Sequence, residues 1–243
     1  MTLTVSTIPM LADNYAWLLR DEASGAIGLV DPADAAVGIA AIEAMGGRLD
    51  LILLTHHHDD HIAGVDAMRA RFGCPVVGAS ADAHRLPKLD RALAEGDQVA
   101  FGSTFGQVIE TPGHTVGHIS YFFPEGPILF AGDTMFSLGC GRMFEGTAEQ
   151  FFASFQKIAA LPPATLVCGG HEYTQSNARF AVSVDPDNAL LRARAAEVDR
   201  MRAAGQQTLP VRLEDELPVN PYLLAADAAS FGRLRSMKDS FKG

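Results

Sequence analysis

Leu49-Asp50-Leu51-Ile52-Leu53-Leu54-Thr55-His56-His57-His58-Asp59-Asp60-His61 decides how this chain is read. Its first six residues have the length and Leu/Ile content of a buried β-strand. The seven that follow then occupy the loop at the carboxyl end of that strand, where open α/β sheets place their sites. In extended backbone, alternate side chains point to opposite sides. His56 and His58 are therefore expected on one side and His57 on the other. A turn after His58 makes Asp60 and His61 a second pair, with Asp59 a further acidic neighbour. Four histidines in six residues, interleaved with carboxylates and internal to the chain, point to metal binding rather than to a polar surface or an expression tag.

The 243 residues, 48% of them apolar and 20% charged, are globular values. No apolar run is long enough to cross a bilayer, and Met1 to Ser6 lacks the basic start and apolar stretch of a signal peptide. Cys74, Cys140 and Cys168 are scattered and odd in number, so they read as thiols of a reducing cytoplasm rather than a disulfide framework. The formal net charge of −10 argues against nucleic acid as a partner, and an anionic substrate would need a local positive patch. The expected partner is a small molecule, with no membrane association and a monomeric state.

Short apolar runs at Tyr15–Leu19 and Ala26–Val30 read as strands. Ala33 to Met45 and Ile62 to Arg71 read as helices, and Pro75–Gly78 as another strand, which is an α/β order. Residues 97–135 return to strand texture. Thr147-x-x-Gln150 is a capping box ahead of a helix to about Ala160. Thr165–Cys168 is one more strand. Residues 188–204 and Asp227 to Phe241 read as helices. A boundary near 172 divides the chain into a mixed catalytic domain, residues 1–172, and a smaller α-helical domain, residues 173–243.

Three more strand ends carry matching chemistry: Thr111-Pro112-Gly113-His114, Ala131-Gly132-Asp133-Thr134 and Gly169-Gly170-His171. Counting ligands assigns His56, His58 and His114 to one metal, Asp60, His61 and His171 to a second, and leaves Asp133 to bridge them. Two such cations, about 3.5 Å apart, would share a water and ionise it near neutral pH. His and Asp ligands suit two divalent ions, with zinc the first expectation and iron or manganese the alternatives. The hydroxide would be held by Asp133, Asp60 and His56. Asp31, Asp59 and His118 are candidates for fixing ligand tautomers from outside the ligand set.

These residues resemble the metallo-β-lactamase superfamily, whose signature is H-x-H-x-D-H followed by later His, Asp and His. The likeness is closer still to the glyoxalase II (hydroxyacylglutathione hydrolase) family, whose T-H-H-H-x-D-H stands here as Thr55 to His61. It extends through Asp13-Asn14-Tyr15, Gly139 to Arg142, Phe144 to Thr147, Asn220-Pro221-Tyr222 and Lys238 to Lys242, nearly the whole chain. The resemblance implies a four-layer αββα sandwich with a dinuclear site at one edge and a smaller helical domain after it. It implies hydrolysis of S-D-lactoylglutathione and related 2-hydroxyacylglutathiones to D-lactate and glutathione, the second step of methylglyoxal detoxification. It also implies a glutathione site at Arg142, Phe144, Tyr173, Arg235 and Lys238. Arg235 and Lys238 are three apart on the last helix and share a face. Two departures stand out: family members often carry Lys-x-Tyr where this chain has Arg142-Met143-Phe144, and some carry Arg near Leu224.

Rival readings are another hydrolase of the superfamily, a one-iron persulfide dioxygenase, and a metal-binding protein without activity. A thiolate leaving group departs without a proton, so the lack of an obvious general acid favours a thioester substrate.

Overall fold

The computed structural model describes residues 3–243, so the reading of Met1-Thr2 lies outside the described residues. Leu3–Met10 (β1), Asn14–Asp21 (β2), Ile27–Val30 (β3), Leu51–Leu53 (β4), Val76–Ala79 (β5) and Arg91–Leu93 (β6) form a six-stranded sheet in sequence order. β1 to β3 are antiparallel, while β3 to β6 run parallel. Every residue of β3 to β5 is buried, the pattern of parallel strands covered on both faces.

Helix Ala35–Ala44 (α1) is capped by Asp34 and carries the chain from β3 to β4. After β4 the single helix expected at 62–71 is broken into Asp59–Ile62 (α2) and Val65–Phe72 (α3). Gly64 lies at the break. A Cβ there would sit 2.6 Å from the Pro32 carbonyl oxygen, so only glycine lets the histidine loop pack this closely against the β3–α1 connection.

The second sheet begins with Gln98–Phe101 (β7), Thr104–Glu110 (β8), Ile119–Phe123 (β9) and Ile128–Gly132 (β10). A two-stranded hairpin, Met135–Phe136 (β11) with Gly139–Cys140 (β12), comes next, then helix Ala148–Ala159 (α4) behind the Thr147–Gln150 capping box. Leu166–Gly169 (β13) joins β10 in parallel. The tail contains Thr174–Val184 (α5), Ala189–Ala203 (α6), Val211–Arg212 (β14), Leu213–Glu216 (α7) and Ala228–Ser240 (α8). β14 pairs with β13, so the region expected as a smaller α-helical domain also lends a strand to the second sheet.

The two sheets face one another across the core. The Tyr121 hydroxyl of β9 donates to the Leu54 carbonyl after β4, and Trp17 Nε1 of β2 donates to the Gly169 carbonyl, 2.9 Å in both cases. α1 packs on α3 outside the first sheet, and α4 packs on α8 outside the second, where Phe151, Phe155 and Phe231 interlock. This is the four-layer αββα arrangement. Among the described residues no helix is long and apolar enough to cross a membrane. The carboxyl ends of β4, β10 and β13 and the β8–β9 loop open on the same edge.

Candidate metal centre

The alternation expected after β4 is present. His57 turns away from the site and meets Asp82, which also pairs with Arg85. Arg85 reaches Glu145, and Glu145 Oε2 accepts the Val116 amide at 2.9 Å. One ion network therefore ties the histidine loop, the loop bearing His114 and the loop after Arg142 together. His56 and His58 point the other way, toward His114. His58 Nδ1 lies 3.1 Å from His56 Nε2 and 2.9 Å from His114 Nε2.

The tautomers follow from the outer hydrogen bonds. Asp31, at φ +52, accepts the Thr55 amide on Oδ1 and the Thr55 hydroxyl on Oδ2 (2.6 Å). The single hydroxyl proton of Thr55 is thus committed, so Thr55 Oγ1 can only accept from His56 Nδ1 at 3.0 Å. His61 Nδ1 donates to Asp31 Oδ2 (3.0 Å), His114 Nδ1 to the Arg142 carbonyl (2.7 Å) and His171 Nδ1 to Asp13 Oδ1 (2.9 Å). In neutral imidazoles all four Nε2 atoms are left as lone pairs turned inward. Burial, with the neighbouring histidines adding to it, pushes His56 and His58 down, His58 to about 4, so both imidazoles are neutral at physiological pH.

The donor atoms of His56, His58 and His114 lie within 4.8 Å of one another, and so do those of Asp60, His61 and His171. Asp31, His56 and His61 also meet that distance. Both oxygens of Asp31 are already taken by Thr55 and His61, however, so it supports the set from outside. Asp133 stands between the two groups. Its Oδ1 is 3.4 Å from His61 Nε2, and its Oδ2 is 3.3 Å from His171 Nε2 and 3.4 Å from His114 Nε2. Burial works to raise the Asp133 carboxyl, but His171, His61 and His114 hold it well below the usual carboxylate range. Asp133 Oδ1 is buried with no hydrogen-bond donor among the described residues. A buried carboxylate oxygen without a donor, facing converging imidazole lone pairs, fits a cation. Burial opposes charge on His171, yet Asp133, Asp13 and Asp60 lift it to about 9, which shows that its Nε2 sits in a field favouring positive charge.

His118 is no ligand. Its Nε2 accepts the Asp133 amide at 3.1 Å and its Nδ1 faces the Thr111 and Thr134 hydroxyls, so it sets the backbone of Asp133. Asp59 was expected to fix a tautomer, but it is exposed at the mouth and makes no hydrogen bond to a candidate ligand among the described residues. That task falls to Asp13 and the Arg142 carbonyl.

A cavity of about 750 Å³ opens onto Asp133, Asp60, His58, His114 and His171 and is walled by all five expected substrate residues. Tyr173 stacks on His171 at 4.6 Å with 3° between the planes. Phe144 is 59% exposed and lies edge-on to His58 and His114. Lys238 Nζ donates to the Ser176 carbonyl and hydroxyl at 2.8 Å. Arg235 lines the cavity and also has a structural task. It is buried at the cavity wall, where Nη1 donates to the Cys140 and Gly141 carbonyls and Nη2 to Asp239, so it fastens α8 to the β11–β12 hairpin while its Nε has no partner among the described residues.

The comparisons agree with this geometry. The metallo-beta-lactamase superfamily model matches residues 12–171, and the hydroxyacylglutathione hydrolase C-terminus model matches residues 172–241. The hydroxyacylglutathione hydrolase of Acidiphilium cryptum (strain JF-5) is 61% identical over 238 residues, covering 98% of this chain and 97% of the relative. This chain belongs to the hydroxyacylglutathione hydrolase family. The Rhodospirillum rubrum member is 52% identical over 230 residues, covering 95% of this chain and 90% of the relative. Among solved structures, ETHE1 from Myxococcus xanthus has a TM-score of 0.71 at 26% identity and covers 97% of this chain and 90% of its own. TTHA1623, solved in a di-iron-bound form, has a TM-score of 0.59 at 30% identity and covers 69% of this chain and 91% of its own. As a member of this family the chain is a metal-dependent hydrolase, and its His/Asp cluster binds divalent metal.

Several braces of this family member have roles that the sequence reading does not reveal. Glu216 is fully buried; it accepts the Ser137 hydroxyl and the Leu138 amide, and Asn220 joins it to the Phe136 and Gly139 carbonyls. The Asp82–Arg85–Glu145 network and the Asp13-Asn14 turn are others. Each joins residues far apart in the chain, and local spacing carries no signal for such contacts.

Proposed function

We propose that this chain hydrolyses the thioester S-D-lactoylglutathione, and related 2-hydroxyacylglutathiones, to D-lactate and glutathione as the second step of methylglyoxal detoxification. One observation carries the reading: a cavity walled by Arg142, Lys238, Tyr173 and Phe144 opens directly onto Asp133 and the two histidine groups. Cationic and aromatic walls suit the carboxylates and backbone of a glutathione moiety. The names of the relatives support the same substrate class.

In this reading His56, His58 and His114 hold one divalent ion, Asp60, His61 and His171 hold a second, and Asp133 serves both. Zinc is the first expectation; the di-iron form of TTHA1623 shows that iron also occurs on this fold. Two such cations, when bound, polarise a carbonyl and lower the pKa of a water they share. The protein supplies the rest. Lys238 and Arg142 bind the glutathionyl end, and Phe144 and Tyr173 flank its path to the centre. Asp133 and Asp60 offer acceptor oxygens for the attacking water, with His56 buried behind them. The glutathione thiolate, from a thiol of pKa about 8.5, leaves without a protonating side chain.

Residues 1–172 then act as the catalytic unit and 173–243 as the glutathione-binding unit, laid against the first through Phe231 and β14. Three buried free cysteines suit a reducing cytoplasm. The test is to add S-D-lactoylglutathione to metal-loaded protein and follow the loss of thioester absorbance with release of D-lactate. Metal uptake without hydrolysis would identify a binding protein instead. A single iron with oxygen consumption on a persulfide substrate would move the chain to the dioxygenase class.

A further inference from the structure

The two ligand groups are not braced alike. His56 and His61 lean on Thr55 and Asp31, and His114 on the Arg142 carbonyl. Asp60 and His171 have a separate support, the turn between β1 and β2. Asn14 Nδ2 donates to the Asp60 carbonyl at 2.9 Å and to Asp60 Oδ2 at 3.1 Å, so one amide sets both the backbone and the rotamer of that carboxylate. The Asp60 side chain is 44% exposed and could otherwise rotate into solvent. The neighbouring Asp13 takes the His171 Nδ1 proton. The turn is itself locked to the carboxyl end of β13: the Tyr15 amide donates to the Gly170 carbonyl and the Glu172 amide to the Asp13 carbonyl, 2.8 Å each. Asn14 is 6% exposed and pairs across a single β-bridge with His171.

We propose that Asp13 and Asn14 are positioning residues that act selectively on the Asp60–His61–His171 group, and so set how tightly one of the two metal ions is held while leaving the other alone. The inference rests on the dinuclear reading above. Asn14 keeps the one exposed ligand of that group turned inward, and Asp13 fixes the His171 tautomer with Nε2 free. Neither residue bonds to His56, His58 or His114 among the described residues.

The experiment is a chelator titration of the metal-loaded, full-length protein, with metal per chain read by elemental analysis and the fold checked by circular dichroism. Wild type, Asn14→Ala, Asp13→Ala and Asp13→Asn are compared. Loss of such an outer partner costs 10–100-fold in metal affinity. Both alanine variants should therefore release one ion at about 10–100-fold less chelator than wild type and keep the other at the wild-type midpoint. Asp13→Asn retains an acceptor oxygen in the same shape, so it should fold like wild type and recover part of the difference. Unchanged midpoints for both ions, or equal weakening of both, would overturn the inference while the dinuclear reading survived. A wild-type protein that binds fewer than two ions would instead overturn that reading, and this inference with it.

Discussion

Gly170 to alanine tests how tightly the centre is built. A Cβ at this position would lie 2.5 Å from Asp133 Oδ1 and 2.6 Å from His61 Cε1. Both distances fall about 0.8–0.9 Å short of the 3.4 Å at which such contacts become ordinary. The φ of Gly170 lies outside the left-handed region, so alanine meets no left-handed strain there. The main chain cannot retreat, because the Gly170 amide donates to Gly132 and its carbonyl accepts from Tyr15, at 2.9 and 2.8 Å. Asp133 and His61 must therefore yield by most of an ångström. Metal–ligand bonds of about 2.0–2.2 Å do not survive that displacement, and a misplacement of about 1 Å in an active site can cost roughly 100-fold in rate. Overpacking of this size costs about 1–3 kcal/mol of stability, which leaves the fold intact. The assay is kcat on S-D-lactoylglutathione with metal content per chain and the thermal midpoint measured in parallel. Gly170→Ala should melt as a folded protein with kcat down about 100-fold and less metal bound. Wild-type turnover with full metal content would refute the claim that this glycine is required by the closeness of Asp133 and His61.

Three further outcomes follow. Asp133→Ala should abolish measurable turnover and weaken both metal ions, because its carboxylate faces both histidine groups; full activity with intact metal content would rule out its shared role. Burial, with Arg235 beside it, lowers Lys238 to about 8, so its charge is present below that pH and is lost as pH rises through it. KM for the glutathione thioester should accordingly climb above pH 8 while kcat holds, and Lys238→Arg should flatten the climb. Phe144→Tyr restores a phenol at the cavity wall; one added hydrogen bond of about 0.5–1.5 kcal/mol corresponds to a KM lower by about 2- to 12-fold with kcat unchanged.

Much of the site is local in the chain and could be read there. The apolar run into Thr55, the two-residue alternation that parts His57 from His56 and His58, and the Thr147–Gln150 capping box all express short-range geometry, and the structure shows each of them. The missing elements depend on partners far away. α5 has no side-chain cap, opens on the polar Thr174-Gln175-Ser176-Asn177, and is held by burial of Phe180 and Ala181 rather than by propensity. β11, β12 and β14 are two residues long, too short for a periodic pattern. Asp13 and Asn14 meet their partners across 158 and 46 positions. The bonds from Arg235 to the Cys140 and Gly141 carbonyls are equally hidden, because nothing in its own helix reveals those partners.

Anomalous diffraction from crystals of metal-loaded protein would locate the cations gathered by the two sets of imidazoles around Asp133. Two peaks are predicted, one among His56 Nε2, His58 Nδ1 and His114 Nε2, the other among Asp60, His61 Nε2 and His171 Nε2, each within bonding distance of Asp133. A single peak, or two peaks of which either lies away from Asp133, would show that Asp133 does not join two ions.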